Sequence, residues 1–447
     1  MFENILGQSA SDQLIHDITH NSLAPAMLFQ GPQGSGKGSA ALELSRVISC
    51  ENDASWNCSC SSCVRHRFLL HPDLLCLGSR PFSAEITAAS QVYIKEKGSG
   101  SSRTLFLRSI RKLLARFNPV LLEDETKSSK LSSLVLSLEE ELDEMIAADT
   151  DYDDISAEKR ITNILKDAYK LESEGISASI PIEQIRKATW WSRLAPTGKG
   201  KLLLIENAES MKEGARNSLL KLLEEPPETV TLVLTSSRPE TLLPTMLSRL
   251  RPYRFNQRRK EIEKDIIRRV FHNENFSPKD TQALRSTGGL IKAYLDSFLP
   301  VSAETFKTLA AFFAASVSYK AALICKKQTR QDLPLELVLL GKYSTPLAEE
   351  AGLEKTREGK EAVAIVLEGA NKFEIRSLFP RFINCLLIMI TESLKTAPSH
   401  SSSVIGLMEL WRKSTGEAET AAMVYNQSIS LALDRLFISL SRGMAEL

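Results

Sequence analysis

The sequence lacks a surplus of either charge: 56 lysines and arginines face 55 aspartates and glutamates, a net charge of +1 over 447 residues. That excludes a chain that grips a polyanion over its whole surface, so any nucleic-acid contact has to be local or shared with partners. It also lacks a long apolar run. One apolar run, Cys385–Ile390, stops at Thr391-Glu392-Ser393. That is short of the ~20 residues of a membrane span, so no membrane contact is expected. The opening MFENILGQSASDQ has no basic stretch followed by an apolar one, which argues against a secretory leader. A cytoplasmic location is the expectation, and with it reduced thiols. A disulfide framework is missing too. There are seven cysteines, and Cys50, Cys58, Cys60 and Cys63 fall close together. In a reducing compartment such a cluster reads as metal-binding. Cys76, Cys325 and Cys385 lie in apolar segments and read as small buried hydrophobes.

The rest of the composition is globular, with 43% hydrophobic and 25% charged residues, and the length suits about three domains. Ala26–Gln30 is an apolar run that stops at Gly31-Pro32, as a buried parallel strand does. Gly38–Ser49 places Ala41, Leu44, Val47 and Ile48 at helical spacing. Asp73–Leu77, Lys201–Ile205 and Val230–Thr235 read as further buried strands. Pro181–Trp191 and Ala208–Glu225 read as helices, the second ended by Pro226-Pro227. This alternation predicts an α/β domain over 1–255, with a parallel sheet covered on both faces.

Residues 79–178 break the alternation and read as a mostly helical insertion. Gly98–Ser102 reads as flexible, Arg103–Phe117 as a basic amphipathic helix, and Ser132–Ala148 as a leucine-spaced helix with an acidic run at Glu139–Glu144. Asp149–Asp154 reads as an acidic turn. The cations Arg103, Arg108, Arg111, Lys112 and Arg116 read as a solvated face, with DNA or a partner as the alternative. Trp190-Trp191 reads as helix packing rather than a base-stacking platform. Residues 256–300 read as a small helical domain broken at Gly288-Gly289, and 301–447 as an all-helical domain.

The chemistry concentrates in two motifs. Gly31-Pro32-Gln33-Gly34-Ser35-Gly36-Lys37 follows a predicted strand and opens a predicted helix, the setting a phosphate loop needs. Its backbone N–H groups would cradle phosphate oxygens, and Lys37 would reach the terminal phosphates. A working loop then places Ser or Thr, whose hydroxyl ligates magnesium. Here that residue is Gly38. Ser39 lies roughly 100° further around the helix and does not substitute. The second motif ends the strand Leu202–Ile205 with Glu206-Asn207. Hydrolysing proteins of this kind carry Asp-Glu there. Asn207 in the second place cannot serve as a general base. Glu209 reads as a solvated residue inside the following helix.

Leu204-Ile205-Glu206-Asn207-Ala208-Glu209-Ser210-Met211 and Asn217–Pro227, with its Leu-Leu-Glu-Glu-Pro-Pro, strongly resemble the AAA+ clamp-loader subunits of bacterial DNA polymerase III. Phe2–Gln8, His71-Pro72-Asp73 and Leu431–Leu436 look like further parts of that family. The resemblance covers about residues 1–78 and 179–298 and, more weakly, 302–447. It implies an AAA+ P-loop domain with a zinc module at about 50–63, a helical lid and a helical collar. The four clustered cysteines resemble the family's zinc module, although the Cys58-Ser59-Cys60 step is tighter, which leaves His66 or His71 as a replacement ligand.

Gly38, Asn207, and Ile291 in place of a nucleotide-sensing arginine imply the family's non-hydrolysing delta-prime branch. Static ATP or ADP in the loop stays open. Ser248-Arg249 resembles the motif whose arginine reaches a neighbour's ATP, so Arg249 would act in trans. Thr235-Ser236 matches the sensor strand end. The implied partners are gamma/tau and delta subunits and, through the assembly, a sliding clamp and primed DNA. Two alternatives are a gamma/tau-type ATPase using Ser39 and Glu209, and a nucleotide-binding scaffold outside replication.

Overall fold

The structure is a computed structural model. It describes residues 1–122, 128–147, 154–177, 179–274, 276, 289–298, 301, 303–327, 334–350, 359–369, 375–394, 402–423, 425 and 427–446. Most of the acidic turn at Asp149–Asp154, and Gly288, lie outside them. The chain divides into two compact units, Met1–Phe298 and Leu299–Leu447.

In the first unit the strands β1 (Ala26–Gln30), β2 (Leu74–Gly78), β3 (Lys201–Glu206), β4 (Val230–Ser236) and β5 (Arg251–Arg254) form one sheet in the order β2-β3-β4-β1-β5. Every pairing is parallel. Continuous apolar runs suit strands covered on both faces, because alternate residues then enter two different cores. Ala26 and Leu28 join Leu203, Ile205, Leu232 and Leu234 on one face, under helices Ile182–Ser192 and Glu213–Glu224. Met27 and Phe29 join Leu202, Leu204 and Val233 on the other, under helices Ser9–Thr19 and Lys37–Ile48. Parallel pairing brings the strand ends together. Gln30 is level with Ser236 and Gly78 with Glu206, at the carboxyl edge where α/β sheets bind ligands.

Three local expectations need correction. Arg251–Arg254 was not expected as a strand, but it is an edge strand. Just Tyr253 is buried there, so it carries no apolar run, and an edge tolerates Pro252. Ala208–Glu225 is not one helix. Asn207 takes left-handed backbone angles, φ 54° and ψ 54°, which forces a 3-10 turn at Ala208–Ser210. Met211 then bridges to Ile180 before helix Glu213–Glu224 begins. Gly98–Ser102 is not slack. Gly100 opens helix Gly100–Leu114, and the fully buried Ser102 bonds the Ser99 carbonyl at 2.9 Å.

The insertion contains helices Ser83–Lys95, Gly100–Leu114, Pro119–Leu122, Ser128–Ala147 and Asp154–Gly175. Phe106, Ile110, Leu113, Leu138, Leu142, Ile164 and Leu171 build a core of its own. Of the tryptophan pair, Trp191 is buried under the Lys201 ammonium, 4.1 Å from its ring, while Trp190 is 54% exposed. Residues 256–298 belong to the first unit, with helices Lys260–Phe271 and Leu290–Asp296.

The second unit is helical throughout its described residues: Ala303–Lys327, Leu335–Glu350, Gly359–Gly369, Ile375–Ser393, Ser402–Met423 and Ile429–Glu446. Phe313, Phe379, Phe382, Trp411 and Leu433 lie at its centre. Glu304–Lys327 is long and apolar enough to cross a membrane, although it holds no long unbroken apolar run. Alanines and single polar residues dilute the run, and 56% of its apolar window is buried in the helical core.

One buried carboxylate ties helix Ser9–Thr19 to the edge strand. Asp17 accepts from the Tyr253 hydroxyl at 2.6 Å and pairs with Arg251 at 2.9 Å. Burial pushes its pKa up, but the bonds from Tyr253 and His16 and the charge of Arg251 bring it below the ordinary value. Asp17→Ala leaves the Tyr253 hydroxyl buried without a partner. It is expected to cost on the order of 3 kcal/mol, measured by urea unfolding with an unchanged slope.

Candidate functional site

Residues 31–36 link β1 to helix Lys37–Ile48. Gly34 and Gly36 turn through φ of +77° and +96°, a region that side chains disfavour. The Lys37 ammonium folds back onto its own loop, donating to the carbonyls of Gly31 at 2.5 Å and Pro32 at 2.7 Å. Burial lowers its pKa to about 8, with Arg80 adding to the shift and Glu209 and Glu206 opposing it.

Two residues given no role in the sequence analysis brace this loop. Gln8 donates to the carbonyls of Ser35 at 3.0 Å and Asn256 at 2.8 Å, and accepts from the Asn256 N–H at 2.9 Å. Arg258 donates to the Gly34 carbonyl at 2.6 Å and the Leu6 carbonyl at 2.8 Å. Gln8 sits in the opening Phe2–Gln8 motif. Arg258 carried no signal, because its targets are backbone atoms far away in sequence.

Gly38 faces Glu206. A Cβ at position 38 would lie 2.4 Å from the Glu206 Oε1. Ser39, by contrast, is exposed. Glu206 is buried, accepts from the Arg116 guanidinium through Oε2, and lies 3.7 Å from Arg80 through Oε1. Arg116 also donates to the Leu77 carbonyl at 2.6 Å. Arg80 and Lys112 both pair with Glu85. Burial pushes the Glu85 carboxyl up, but those two cations outweigh it and hold its pKa at about 2.

The basic helix of the insertion is therefore not a solvated face. Arg108 donates to the Arg67 carbonyl, Arg111 to the Phe68 carbonyl and to Asp143, Lys112 to Glu85, and Arg116 to Glu206. Arg108, Arg111 and Arg116 fasten the insertion to the cysteine segment and the sheet, while Lys112–Glu85 and Arg111–Asp143 tie its own helices together.

Asn207 donates its backbone N–H to the Thr235 hydroxyl at 3.2 Å, and Thr235 and Ser236 are buried. Glu209 is not a solvated helical residue either. Its Oε1 accepts from the N–H of Ser237 at 3.0 Å and from its hydroxyl at 2.6 Å. Burial raises its pKa, but those bonds outweigh the effect and lower it. Ile291 packs in an apolar cluster with Ala88, Val92, Ile267 and Phe271. Ser248 and Arg249 are exposed. Arg249 bonds the Thr245 carbonyl at 2.7 Å, Ser248 at 3.3 Å and Glu224 at 2.7 Å. Glu224 belongs to the Leu-Leu-Glu-Glu-Pro-Pro stretch, which thus poises Arg249 at the surface.

The sulfurs of Cys50, Cys58, Cys60 and Cys63 all lie within 4.8 Å of one another and could hold a metal ion. Cys50 is 3.7 Å from Cys58 and 3.9 Å from Cys60. Four thiolates around zinc have sulfur–sulfur edges of about 3.8 Å, given Zn–S of ~2.3 Å. The tight Cys58-Ser59-Cys60 step thus brings both sulfurs to the same point. Neither His66 nor His71 joins them. The two rings stack on each other at 4.1 Å, and His71 is engaged by Ser62 and the Asp73 N–H. Burial pushes the Cys60 thiol up, but N–H groups of Glu51 and Cys63 outweigh it and bring its pKa to about 6. Buried Arg46, paired with Glu43, donates to the Cys63 sulfur at 3.1 Å.

A parallel sheet with a phosphate loop after β1 and an acidic residue ending β3, one strand removed from it across β4, defines a P-loop α/β protein. The chain matches the family described as "DNA polymerase III, delta subunit" over residues 7–116 and 115–259, more than half of its length. It belongs to that family of clamp-loader subunits. It is 40% identical over 84 residues to the DNA polymerase III subunit delta' of Pseudomonas aeruginosa, covering 19% of this chain and 26% of that protein. Over 85 residues it is 38% identical to the delta' subunit of Yersinia pestis, 19% of this chain and 25% of that one. Over 114 residues it is 27% identical to the gamma/tau subunit of Mycobacterium tuberculosis, 24% of this chain and 20% of that one. These matches span about a quarter of each relative or less. A gamma subunit-related protein of Thermotoga maritima, 20% identical, aligns with 60% of this chain and 81% of its own at a TM-score of 0.27, too low to compare folds.

Gly38→Ser has to displace a carboxylate held by Arg116 and Arg80. It is expected to cost about 1–3 kcal/mol. Urea unfolding of both chains measures it.

Proposed function

We propose that this chain is a non-hydrolysing, delta-prime-type subunit of a DNA polymerase III clamp loader. The observation that carries the reading is the state of the hydrolytic positions. Gly38 has no hydroxyl, Asn207 has no carboxylate, and Glu206 is committed to Arg116 and Arg80. Glu209, the other acid nearby, is committed to Ser237. No side chain at these positions is free to activate water.

On this reading the chain works by assembly. It joins gamma/tau and delta subunits in a ring that opens a sliding clamp and places it on primed DNA. The second unit serves as the collar and residues 256–298 as the lid. ATP or ADP held at 31–38 would be a static ligand. Arg249 completes a neighbour's ATP site, where a guanidinium stabilises charge on the transferring phosphoryl group. Its exposure and its tether to Glu224 support this role. The four cysteines hold a structural zinc. Four thiolates carry two charges more than the ion neutralises, and the Arg46 Nη1–H donated to Cys63 offsets part of that excess.

In the reconstituted complex, Arg249→Ala is expected to lower DNA-stimulated ATP turnover several-fold, since a trans arginine contributes about 10³-fold or more at its own site. Unchanged turnover would overturn the trans role. Hydrolysis by the purified chain alone would favour the gamma/tau-type reading through Ser39 and Glu209. Metal analysis of the purified chain is expected to find about one zinc per chain, absent in Cys58→Ser, with a lower melting temperature after chelation.

A further inference from the structure

In hydrolysing P-loop proteins the acid that ends the strand beside the phosphate loop serves a magnesium ion, together with the hydroxyl that follows the lysine. Neither partner is available for that purpose here. The hydroxyl position is Gly38, and the space a side chain would take is filled by the Glu206 Oε1, 2.4 Å from where a Cβ would stand. The longer acid has grown into the room that the shorter residue left. Its charge is already balanced. Arg116 binds one oxygen and Arg80 stands 3.7 Å from the other. Arg116 is fixed by a second bond to Leu77 and Arg80 by its pair with Glu85. A divalent ion at Glu206 would face two guanidiniums close by, and like charges repel more strongly in a part-buried setting than in water.

We infer that Arg80 and Arg116 take the place of the divalent ion at Glu206, so that a nucleoside phosphate entering the 31–38 loop is received by cations of the chain and without a metal. This rests on the non-hydrolysing reading and adds the cause: the metal position is filled by the protein itself. Arg80 and Arg116 both come from the insertion at 79–178, so this block completes the site.

The test is Mn²⁺ titration of the full chain, followed by the electron paramagnetic resonance of free Mn²⁺, with and without ADP. The unaltered chain is expected to take up no more Mn²⁺ than its Glu206→Gln variant. The Arg80→Gln/Arg116→Gln variant is expected to take up one Mn²⁺ per chain at least tenfold more tightly, and adding Glu206→Gln is expected to abolish that uptake. Mn²⁺ uptake by the unaltered chain that Glu206→Gln removes would overturn the inference. So would a double variant with native circular dichroism that gains no Mn²⁺. If the double variant does not fold, the comparison of the unaltered chain with Glu206→Gln decides alone. ATP turnover by the purified chain would sink the non-hydrolysing reading, whereas Glu206-dependent Mn²⁺ uptake without turnover would sink only this inference.

Discussion

A carboxylate buried at the end of a central parallel strand needs a positive partner, because an isolated charge there costs several kcal/mol. The way Glu206 meets that need organises the first unit. Its partner Arg116 lies in the 3-10 turn just after the insertion's helix Gly100–Leu114, so docking of the insertion and neutralisation of the strand end are one event. Arg80 extends the pairing to Glu85, and Glu85 to Lys112. The result is a chain of alternating charges between the sheet edge and the insertion. It requires a residue without a side chain at position 38.

The same economy of contacts recurs around the phosphate loop and the cysteines. Gln8 and Arg258 hold loop carbonyls from two distant segments, and Lys37 holds two more. At the cysteine module Arg46 joins Glu43, the 54–55 backbone and the Cys63 sulfur. Asp73, just beyond the module, accepts the N–H groups of Thr197 and Gly198 and so anchors the turn into β3. In each case a polar side chain replaces water for backbone groups that the fold buries. Arg249 differs from these buried cations. Its bonds are at the surface and local, with Glu224 as the one acidic partner, which suits a group that acts outward.

Much of the architecture was readable from short stretches of chain. Four of the five strands announced themselves as apolar runs. The phosphate loop, the proline stop after Glu224 and the cysteine cluster did so through residue type and spacing. Three readings failed for a common reason. An arginine on an amphipathic helix looks solvated until a carboxylate from elsewhere is brought to it. The same holds for Glu209 beside Ser237. The edge strand at Arg251–Arg254 had no pattern of its own, because its pairing with β1 is made by backbone groups.

The division between the two kinds of information follows from range. Helical spacing, buried strands, the glycine loop and the missing hydroxyl at Gly38 are properties of a few neighbouring residues, and the chain alone states them. Whether Glu206 was free or paired depended on Arg116, 90 residues away. Whether Cys58 and Cys60 could both reach one point depended on the turn around them. Charge pairing and sulfur convergence are distances between segments, and no local pattern encodes a distance that only folding creates.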